Sequence, residues 1–190
     1  MNDIAAVCFD CYGTLVEITQ KKRPYRAFIS SLAPEYQQEF RDRLMREDRP
    51  TKNWPTAIDV SVPEITMTRL EADIDREVNS VLPRPAAIKV WSKLRGAGVK
   101  LALCSNAASP YGPAALACLP DQPDHVVFSY KVGSLKPETK IYDAVCNGLH
   151  LPADRILFVG DTYSADIAGP KAHGFRSCHI ETFEKSFDLE

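Results

Sequence analysis

The chain has 190 residues, which at ~100–200 residues per domain allows one domain, or one domain that carries a sizeable insertion. Hydrophobic residues make up 45% and charged residues 25%; both values are ordinary for globular proteins and disfavour disordered, collagen-like and coiled-coil classes. The formal net charge of −2 is too small for bulk electrostatics to drive binding to nucleic acid or to an anionic membrane.

The amino-terminal residues and the cysteines predict a cytoplasmic protein. The start of the chain has no basic region, the apolar run over 4–9 is short for a signal peptide, and no apolar stretch approaches the ~18 residues of a spanning helix. The six cysteines lie mostly in apolar runs, which predicts buried free thiols rather than disulfides. Cys8 and Cys11 have C-x-x-C spacing without a second Cys/His pair nearby, which disfavours a zinc or redox site.

The first half of the chain begins with a strand and continues with helices. Residues 4–9 are continuously apolar, as in a strand buried on both faces. From 16 to 84 the strand signal disappears and apolar residues recur at helical spacing, in three stripes: Tyr25, Phe28, Ile29 and Leu32; Tyr36, Phe40 and Leu44; Met67, Leu70, Ile74, Val78 and Val81. Pro83 and Pro85 mark the end of this helical insertion, because residues that precede a proline are disfavoured in helices.

The second half alternates strands and helices. Strands are predicted over 99–104, 126–128, 156–159 and 177–180, and helices over 86–95, 141–149 and 165–173. This alternation predicts an α/β fold, a parallel sheet with helices on both faces. We therefore expect a core formed by residues 1–15 and 85–190, interrupted by a helical segment over 16–84.

Reactive side chains follow four of the predicted strands or lie in the loops after them. Asp10 follows the first strand, Ser105 and Asn106 follow the strand that ends at 104, Lys136 lies in the loop after 128, and Asp161 follows the strand that ends near 159. Ligands bind at the carboxyl ends of the strands in open parallel sheets, so these side chains are expected to converge at one edge.

The combination of residues indicates nucleophilic chemistry on an anionic substrate. A carboxylate such as Asp10 can form a covalent ester or an acyl phosphate, but cations must first offset its charge. Lys136 supplies one cation, and Asp161 with Asp166 supplies the hard oxygen ligands that Mg²⁺ prefers. Ser105 and its neighbouring amide can donate hydrogen bonds to substrate oxygens.

Four segments resemble, in order, the four motifs of the haloacid dehalogenase superfamily of hydrolases. They are Phe9-Asp10-Cys11-Tyr12-Gly13-Thr14-Leu15, Cys104-Ser105-Asn106, Leu135-Lys136-Pro137 and the run that begins Val159-Gly160-Asp161-Thr162 and ends at Gly169. The resemblance spans nearly the whole chain. It implies a Rossmann-like core, and it implies that residues 16–84 are the inserted α-helical cap of that superfamily.

The resemblance also implies roles for individual residues. Asp10 would be the nucleophile, Ser105 and Lys136 would bind substrate oxygens, and a Mg²⁺ site would include Asp10, Asp161, Asp166 and the backbone carbonyl of Tyr12. Thr14 and Asn106 are further candidates for substrate binding, although Asn106 could instead bond loop backbone. Asp166 could ligate the metal or support a ligand, and the Tyr12 ring could act at the substrate or pack against the cap.

The first and fourth motifs favour different activities. Phosphatases of the superfamily usually have a second Asp, a general acid and base, where this chain has Tyr12, and a phenol with an ordinary pKa near ~10 is a poor base at neutral pH. Tyr12-Gly13-Thr14 instead resembles the 2-haloacid dehalogenases, whose halide leaving group needs no proton. Asp161, by contrast, stands where those metal-independent enzymes carry Ser and Asn, and carboxylates beside Asp10 repel it unless a cation is bound.

The sequence therefore predicts a Mg²⁺-dependent phosphatase that acts on a small phosphorylated substrate through an aspartyl-phosphate intermediate, with Tyr12 replacing the usual acid. One alternative is a metal-independent 2-haloacid dehalogenase with an aspartyl-ester intermediate. The other is a weakly active or non-catalytic module that binds a phosphorylated ligand. The expected partner is a small-molecule substrate rather than nucleic acid or membrane, and the sequence gives no indication of oligomeric state.

Overall fold

A computed structural model describes residues 3–188. Its strands are, in chain order, β1 (Ala6–Phe9), β2 (Val16–Ile18), β3 (Val81–Pro83), β4 (Lys100–Ser105), β5 (His125–Phe128), β6 (Ile156–Gly160) and β7 (Arg176–His179). Its helices are α1 (Pro24–Ser31), α2 (Pro34–Leu44), α3 (Trp54–Ala57), α4 (Glu64–Val78), α5 (Pro85–Gly96), α6 (Tyr111–Ala117), α7 (Ser129–Val132), α8 (Thr139–Leu149), α9 (Gly169–Ala172) and α10 (Ile180–Asp188). Short 3₁₀ turns cover Thr51–Asn53 and Ala153–Arg155, and a π-helical turn covers Tyr163–Ala168.

Five strands form a parallel sheet in the order β5-β4-β1-β6-β7, which confirms the predicted α/β fold. The first strand is central: Phe9 pairs with Leu103 of β4 on one side and with Val159 of β6 on the other. Every residue of β1 is buried, as its continuous apolar sequence predicts. Because all pairings are parallel, the carboxyl ends of β1, β4, β5 and β6 lie at the same edge of the sheet.

Helices cover both faces of this sheet and bury alternate strand residues. One face packs Phe9, Leu101 and Leu103 against Trp91 of α5 and Phe183 of α10. The other packs Ala6, Cys8, Ala102, Cys104 and Phe158 against Ile141, Tyr142 and Val145 of α8. All six cysteines are free thiols, as predicted, and Cys8, Cys11 and Cys104 are buried.

Helices α1–α4 account for the helical periodicity between residues 16 and 84, and they enclose an aromatic core around Phe28, Phe40 and Trp54. The structure differs at both ends of this segment, where β2 and β3 pair as an antiparallel ribbon that places Val16 opposite Pro83 and Ile18 opposite Val81. The expectation that Val81 belongs to a helical stripe is therefore wrong. Three-residue strands are too short to show a period of two, and their pairing partner is distant in sequence.

The predicted helix over 165–173 is divided into the π-helical turn and α9. Pro170 lacks an N–H group and cannot continue the hydrogen-bond ladder of the preceding turn, which explains the division. The π-helical turn contains Asp166, and such wide turns are frequent at functional sites. Across residues 3–188, no helix has both the length and the apolar composition that crossing a bilayer requires.

Candidate active site

The end of β1 fixes Asp10 at the carboxyl edge of the sheet. The backbone N–H of Asp10 donates to the Val159 carbonyl at 2.8 Å, so the pairing with β6 extends one residue beyond the strand. The Asp10 side chain is buried, with Ser105 at the end of β4 and Asp161 directly after β6. The predicted convergence of these segments at one edge is what the structure shows.

A buried ammonium links two carboxylates at this edge. Lys136 Nζ lies 2.7 Å from Asp10 Oδ1 and 2.7 Å from Asp166 Oδ1, and all three side chains are shielded from solvent. Burial by itself lowers the pKa of Lys136, but the charges of Asp10 and Asp166 outweigh it and hold that pKa above its ordinary value. Lys136 is therefore a fixed positive charge beside the candidate nucleophile.

Two hydroxyl groups complete the contacts of Asp10. Ser105 Oγ donates to Asp10 Oδ1 at 3.3 Å, and Thr14 Oγ1 donates to Asp10 Oδ2 at 3.3 Å. Both hydroxyls are buried. Since a hydroxyl can rotate to a new acceptor, these groups can either orient the carboxylate or bind an oxygen of a molecule that reacts with it.

Asn106 contacts the loop that carries Lys136 rather than the carboxylate of Asp10. Its Nδ2 donates to the Lys136 carbonyl at 3.0 Å, and its Oδ1 accepts the Lys136 N–H at 2.8 Å. Of the two roles that the sequence leaves open, the structure therefore shows the bond to loop backbone. Both ends of the amide hold Lys136 in place, and a substrate contact through the second N–H of Asn106 stays a prediction.

Three carboxylates, one of them that of Asp10, form an acidic group at this edge of the sheet. Asp10, Asp161 and Asp166 each offer an oxygen within 4.8 Å of the others, and no other such His, Cys, Asp or Glu group occurs within residues 3–188. Asp161 is exposed and lies against the turn after β1, where a Cβ on Gly13 (φ +88°) would stand only 2.2 Å from Asp161 Oδ2. Gly13 thus permits the close approach of Asp161 to the turn that follows Asp10.

Asp166 is held more tightly than Asp161. Its Oδ1 accepts from Lys136, and its Oδ2 accepts the Thr162 N–H at 2.9 Å. Burial raises the pKa of Asp166, and although Lys136 opposes this shift, the charge of Asp10 adds to it. One ammonium among three carboxylates leaves excess negative charge, and the hard oxygen donors fit a divalent cation such as Mg²⁺.

The side chain of Tyr12 contacts Tyr111. Its phenol donates to the Tyr111 carbonyl at 2.7 Å, and the two rings meet edge to face with centroids 5.9 Å apart. Burial, and then the charges of nearby groups, raise the pKa of Tyr12 above its ordinary value. These contacts fit the packing role that the sequence left open for the ring, and a catalytic role for the Tyr12 side chain stays a prediction that neither contact supports.

Residues 4–174 match the family described as haloacid dehalogenase-like hydrolase. The chain belongs to this family. It is a hydrolase, and both phosphatase-type enzymes and dehalogenases are among its relatives. The pyrimidine 5'-nucleotidase YjjG of Escherichia coli (strain K12) is 27% identical over 164 residues, which cover 85% of this chain and 71% of that protein. The (S)-2-haloacid dehalogenase of Pseudomonas sp. (strain YL) is 28% identical over 206 residues, which cover 99% of this chain and 87% of that protein.

Solved structures of the haloacid dehalogenase (HAD) family share the fold of this hydrolase. The HAD family enzyme BT-2542 of Bacteroides thetaiotaomicron superposes with a TM-score of 0.69 at 12% identity, over 93% of both chains. A complex of that enzyme with magnesium and inorganic phosphate superposes with a TM-score of 0.65 at 13% identity, again over 93% of both chains. A HAD phosphatase of Thermococcus onnurineus superposes with a TM-score of 0.60 at 23% identity, over 92% of this chain and 85% of that one.

Two charged residues next to the site of this hydrolase escaped the sequence interpretation. Buried Glu77 accepts the Tyr111 hydroxyl at 2.6 Å on Oε2 and the N–H groups of Lys22 and Arg23 at 2.5 Å each on Oε1. Arg84 donates to the carbonyls of the turn after β1. Both residues bind groups that are distant in sequence, so the sequence gives little indication of their roles. Glu77 stands next to an apolar helical stripe, and Arg84 stands between two prolines.

Contacts between the segment before α3 and the core lie close to Lys136. Arg46 forms a two-pronged ion pair with Glu138, at 2.8 Å from Nη1 and 2.5 Å from Nη2. Asp48 pairs with Lys131 and accepts from Ser109 Oγ at 2.9 Å. These polar contacts join the helical segment to the loop after β4, to α7 and to the loop between α7 and α8.

Proposed function

We propose that this hydrolase is a Mg²⁺-dependent phosphatase that acts on a small phosphorylated molecule and forms an aspartyl-phosphate at Asp10. The observation that carries the proposal is the group of Asp10, Asp161 and Asp166, whose carboxylate oxygens lie within 4.8 Å of one another. Three carboxylates so close together repel one another, and Lys136 offsets only one of their charges. A divalent cation would relieve the repulsion. A dehalogenase that works without metal has no use for three carboxylates this close together.

The ligands we propose for Mg²⁺ are Asp10, Asp161 and the backbone carbonyl of Tyr12. Asp166 would support the site from behind: it is fully buried, and its oxygens accept from Lys136 and from the Thr162 N–H next to Asp161. When bound, Mg²⁺ supplies positive charge that screens an approaching phosphate from the carboxylates. The fully buried donor Lys136 adds a second positive charge from the protein.

The protein groups can carry phosphoryl transfer as follows. An Asp10 oxygen attacks phosphorus, so an O–P bond forms while the bond from phosphorus to the leaving oxygen breaks. Lys136 and Ser105 hold the phosphoryl oxygens, and Thr14 orients the second oxygen of Asp10. Water then hydrolyses the aspartyl-phosphate, which releases inorganic phosphate and regenerates the Asp10 carboxylate.

The leaving oxygen departs with a negative charge, and the protein offers it no acid at the position of Tyr12. The Tyr12 phenol is directed to Tyr111, and burial raises its pKa, which makes it a still weaker proton donor. General acid catalysis is typically worth about 10²–10⁴-fold, so leaving groups that need no proton should react best. We therefore propose aryl and acyl phosphates as preferred substrates over alkyl phosphates.

We also propose that the α1–α4 segment, within residues 16–84, acts as a cap over a core formed by residues 1–15 and 85–190. The support is the β2–β3 ribbon, which brings the entry and exit of the segment together, and the polar contacts of Arg46 and Asp48 with the core. A cap of this kind would shield the site from bulk water during the reaction.

A 2-haloacid dehalogenase is the second candidate, because Tyr12-Gly13-Thr14 resembles dehalogenases and the Pseudomonas enzyme is 28% identical. In that reaction Asp10 would displace halide from carbon, and no proton would be needed on the leaving group. A module that binds a phosphorylated ligand with little turnover is the third candidate.

One screen separates the candidates. The purified protein is assayed with p-nitrophenyl phosphate, acetyl phosphate, pyrimidine nucleoside 5'-monophosphates and 2-chloropropionate, each with Mg²⁺ and with EDTA, beside Asp10→Asn and Asp161→Asn. We expect aryl and acyl phosphate hydrolysis that requires Mg²⁺ and is lost in both variants. Chloride release that survives EDTA would overturn the proposal in favour of the dehalogenase, and silence on every substrate with retained phosphate binding would favour the binding module.

A metal titration tests the cation site without any turnover. Mg²⁺ should raise the melting temperature of the wild-type protein, because a ligand that binds only the folded state stabilises it, by about 2.7 kcal/mol at 100 times its Kd. The shift should vanish in Asp161→Asn and persist in Asp154→Asn, which changes an acid in the 3₁₀ turn before β6. An equal shift in both variants would place the cation elsewhere.

A further inference from the structure

Arg84 reaches from the end of the β2–β3 ribbon to the turn that follows the nucleophile. Its Nη1 donates to the carbonyls of Gly13 at 3.1 Å and Thr14 at 2.7 Å, and its own N–H donates to the Leu15 carbonyl at 2.8 Å. Its Nη2 lies 3.4 Å from Glu184 on α10. One side chain thus joins the exit of the helical segment, the nucleophile loop and the last helix described.

The turn it contacts is closed on itself. The N–H groups of Thr14, Leu15 and Val16 all donate to the Cys11 carbonyl, at 3.2, 2.8 and 3.1 Å. The carbonyls of Gly13 and Thr14 point outward, and Arg84 binds both of them. The guanidinium therefore holds the carbonyl side of two successive peptide planes, whose N–H groups, those of Thr14 and Leu15, are held by Cys11 inside the turn.

Those two residues place the groups that react. Thr14 donates to Asp10 Oδ2 at 3.3 Å, and the Cα of Gly13 faces Asp161 so closely that a Cβ would stand 2.2 Å from its Oδ2. A shift of this turn would move the Thr14 hydroxyl away from Asp10 and would change the separation between Asp10 and Asp161. Misplacement of about 1 Å in a catalytic site can cost on the order of 10²-fold in rate.

The geometry suits arginine and would be only partly reproduced by lysine. A planar guanidinium presents several N–H donors in a fixed fork, so it can serve two carbonyls and a carboxylate together. Glu184 keeps only a small part of its side chain exposed, and its Oε1 has no hydrogen-bond partner other than this longer ionic contact. The pairing holds the guanidinium over the turn from the side of α10.

We propose that Arg84 is a positioning residue: through the Gly13 and Thr14 carbonyls it holds the nucleophile loop in the arrangement that aligns Thr14 with Asp10 and Asp161 with Gly13. It touches none of the reacting atoms. The expected effect of Arg84 on turnover rests on the proposed phosphatase function. The ordering of residues 11–16 by Arg84 is independent of that function.

Arg95 provides a matched control. It is also an arginine with several partners, since Nε donates to Asp121 at 2.9 Å, Nη1 to Asp124 at 2.6 Å and Nη2 to the Gln122 carbonyl at 2.8 Å. Those partners lie in the loop before β5, away from the nucleophile turn. Arg95→Ala therefore removes a comparable set of contacts without touching residues 11–16.

The first arm compares hydrogen exchange by mass spectrometry in wild type, Arg84→Ala and Arg95→Ala. Peptides that cover residues 11–16 should exchange about 10-fold faster in Arg84→Ala and at the wild-type rate in Arg95→Ala, because loosened segments open more often. Unchanged exchange in Arg84→Ala would overturn the inference. Should that variant not fold, Arg84→Lys, which keeps one donor group, is used and is expected to show an intermediate increase.

The second arm measures turnover of p-nitrophenyl phosphate with Mg²⁺. Arg84→Ala should lower kcat about 10-fold or more with KM changed less than about 3-fold, and added guanidinium at tens of millimolar should restore part of kcat in Arg84→Ala but not in Arg95→Ala. Equal kcat in the two variants, or a loss that guanidinium leaves untouched, counts against a positioning role. If the wild-type protein hydrolyses no phosphate, the proposed function fails, and the exchange arm decides the role of Arg84 by itself.

Discussion

Lys136 Nζ lies 2.7 Å from Asp10 Oδ1, and this contact places a buried, positively charged ammonium against the proposed nucleophile. The same ammonium lies 2.7 Å from Asp166, so its removal leaves two carboxylates facing each other without a counter-charge. Breaking one side of a buried ion pair costs about 3–5 kcal/mol, partly offset where a carboxyl takes up a proton. The two carboxylates, of Asp10 and Asp166, are therefore stable at this distance only while Lys136 lies between them.

Lys136→Met tests this arrangement. We expect a loss of at least about 10³-fold in kcat/KM for p-nitrophenyl phosphate, because a donor to the transferred group is removed, together with a lower melting temperature. Lys131→Met is the control: that lysine is exposed and pairs with Asp48, and its loss should leave the melting temperature close to that of the wild type. Similar melting temperatures for the two variants would contradict the claim that Lys136 stabilises the fold by offsetting the charges of Asp10 and Asp166.

The absence of an acid at position 12 has a measurable consequence. Tyr12→Asp should raise the turnover of an alkyl phosphate relative to an aryl phosphate by about 10–100-fold, since an alkoxide leaving group benefits most from a proton donor. Tyr12→Phe is the matched control; it removes only the bond to the Tyr111 carbonyl and should leave kcat within about 3-fold of wild type. A large loss in Tyr12→Phe would show that the phenol takes part in the chemistry after all.

The sequence predicted those parts of the hydrolase that follow from strand order. Once β1, β4 and β6 are parallel, Asp10, Ser105 and Asp161 must meet at one edge, and no further information is needed to bring them together. The loop that carries Lys136 reaches the same edge because it follows β5. The buried faces of the long helices were also predictable, because the spacing of apolar residues along a helix is a local property of the sequence.

The features that the sequence did not predict depend on contacts between distant residues. The β2–β3 ribbon joins residues more than sixty positions apart, and each strand is only three residues long. The side chain of Asn106 could reach either substrate or backbone, and only the position of the Lys136 loop decides between them. Arg84 and Glu77 look like ordinary surface charges until the loops they bind are placed in space.

Glu77 should contribute to the stability of the helical segment. Its carboxylate accepts the N–H groups of Lys22 and Arg23 and the hydroxyl of Tyr111, and the residue is buried. Glu77→Ala leaves three donors without an acceptor, at about 1–3 kcal/mol for each that is buried, but Lys22 and Arg23 are exposed residues whose N–H groups water can reach. We therefore expect a total loss of about 2–4 kcal/mol in the free energy of unfolding.

Urea denaturation measures the effect of Glu77→Ala, and Glu71→Ala, an exposed acid on the same helix, is the control with an expected change below about 0.5 kcal/mol. Glu77→Gln should lie between the two, because an amide oxygen still accepts the backbone N–H groups. If Glu77→Ala is as stable as Glu71→Ala, the polar contacts of Glu77 contribute nothing net to folding.

The ion pair of Arg46 and Glu138 makes a pH-dependent contribution to stability. The hydrogen bond from Arg46, with a second from Ser134, lowers the pKa of Glu138 to about 2, whereas in the unfolded chain it is about 4.3. A depressed carboxyl pKa in the folded state stabilises the protein above the unfolded value, and the contribution is lost as the pH falls from about 4.3 through 2. Because both side chains are about one-third to one-half exposed, solvent limits it to about 1 kcal/mol.

Thermal unfolding of the wild type and of Glu138→Gln between pH 7 and pH 2.5 measures this contribution. The two proteins should differ by a constant amount from pH 7 to pH 5, and the difference should shrink below about pH 4 as the wild-type carboxyl becomes protonated in the unfolded chain. Glu35→Gln, a change in the first turn of α2 away from this pair, should give a smaller difference at pH 7. A Glu138→Gln difference that grows as the pH falls would mean that the wild-type carboxyl is stabilised in its neutral form, the opposite of what its partners Arg46 and Ser134 require.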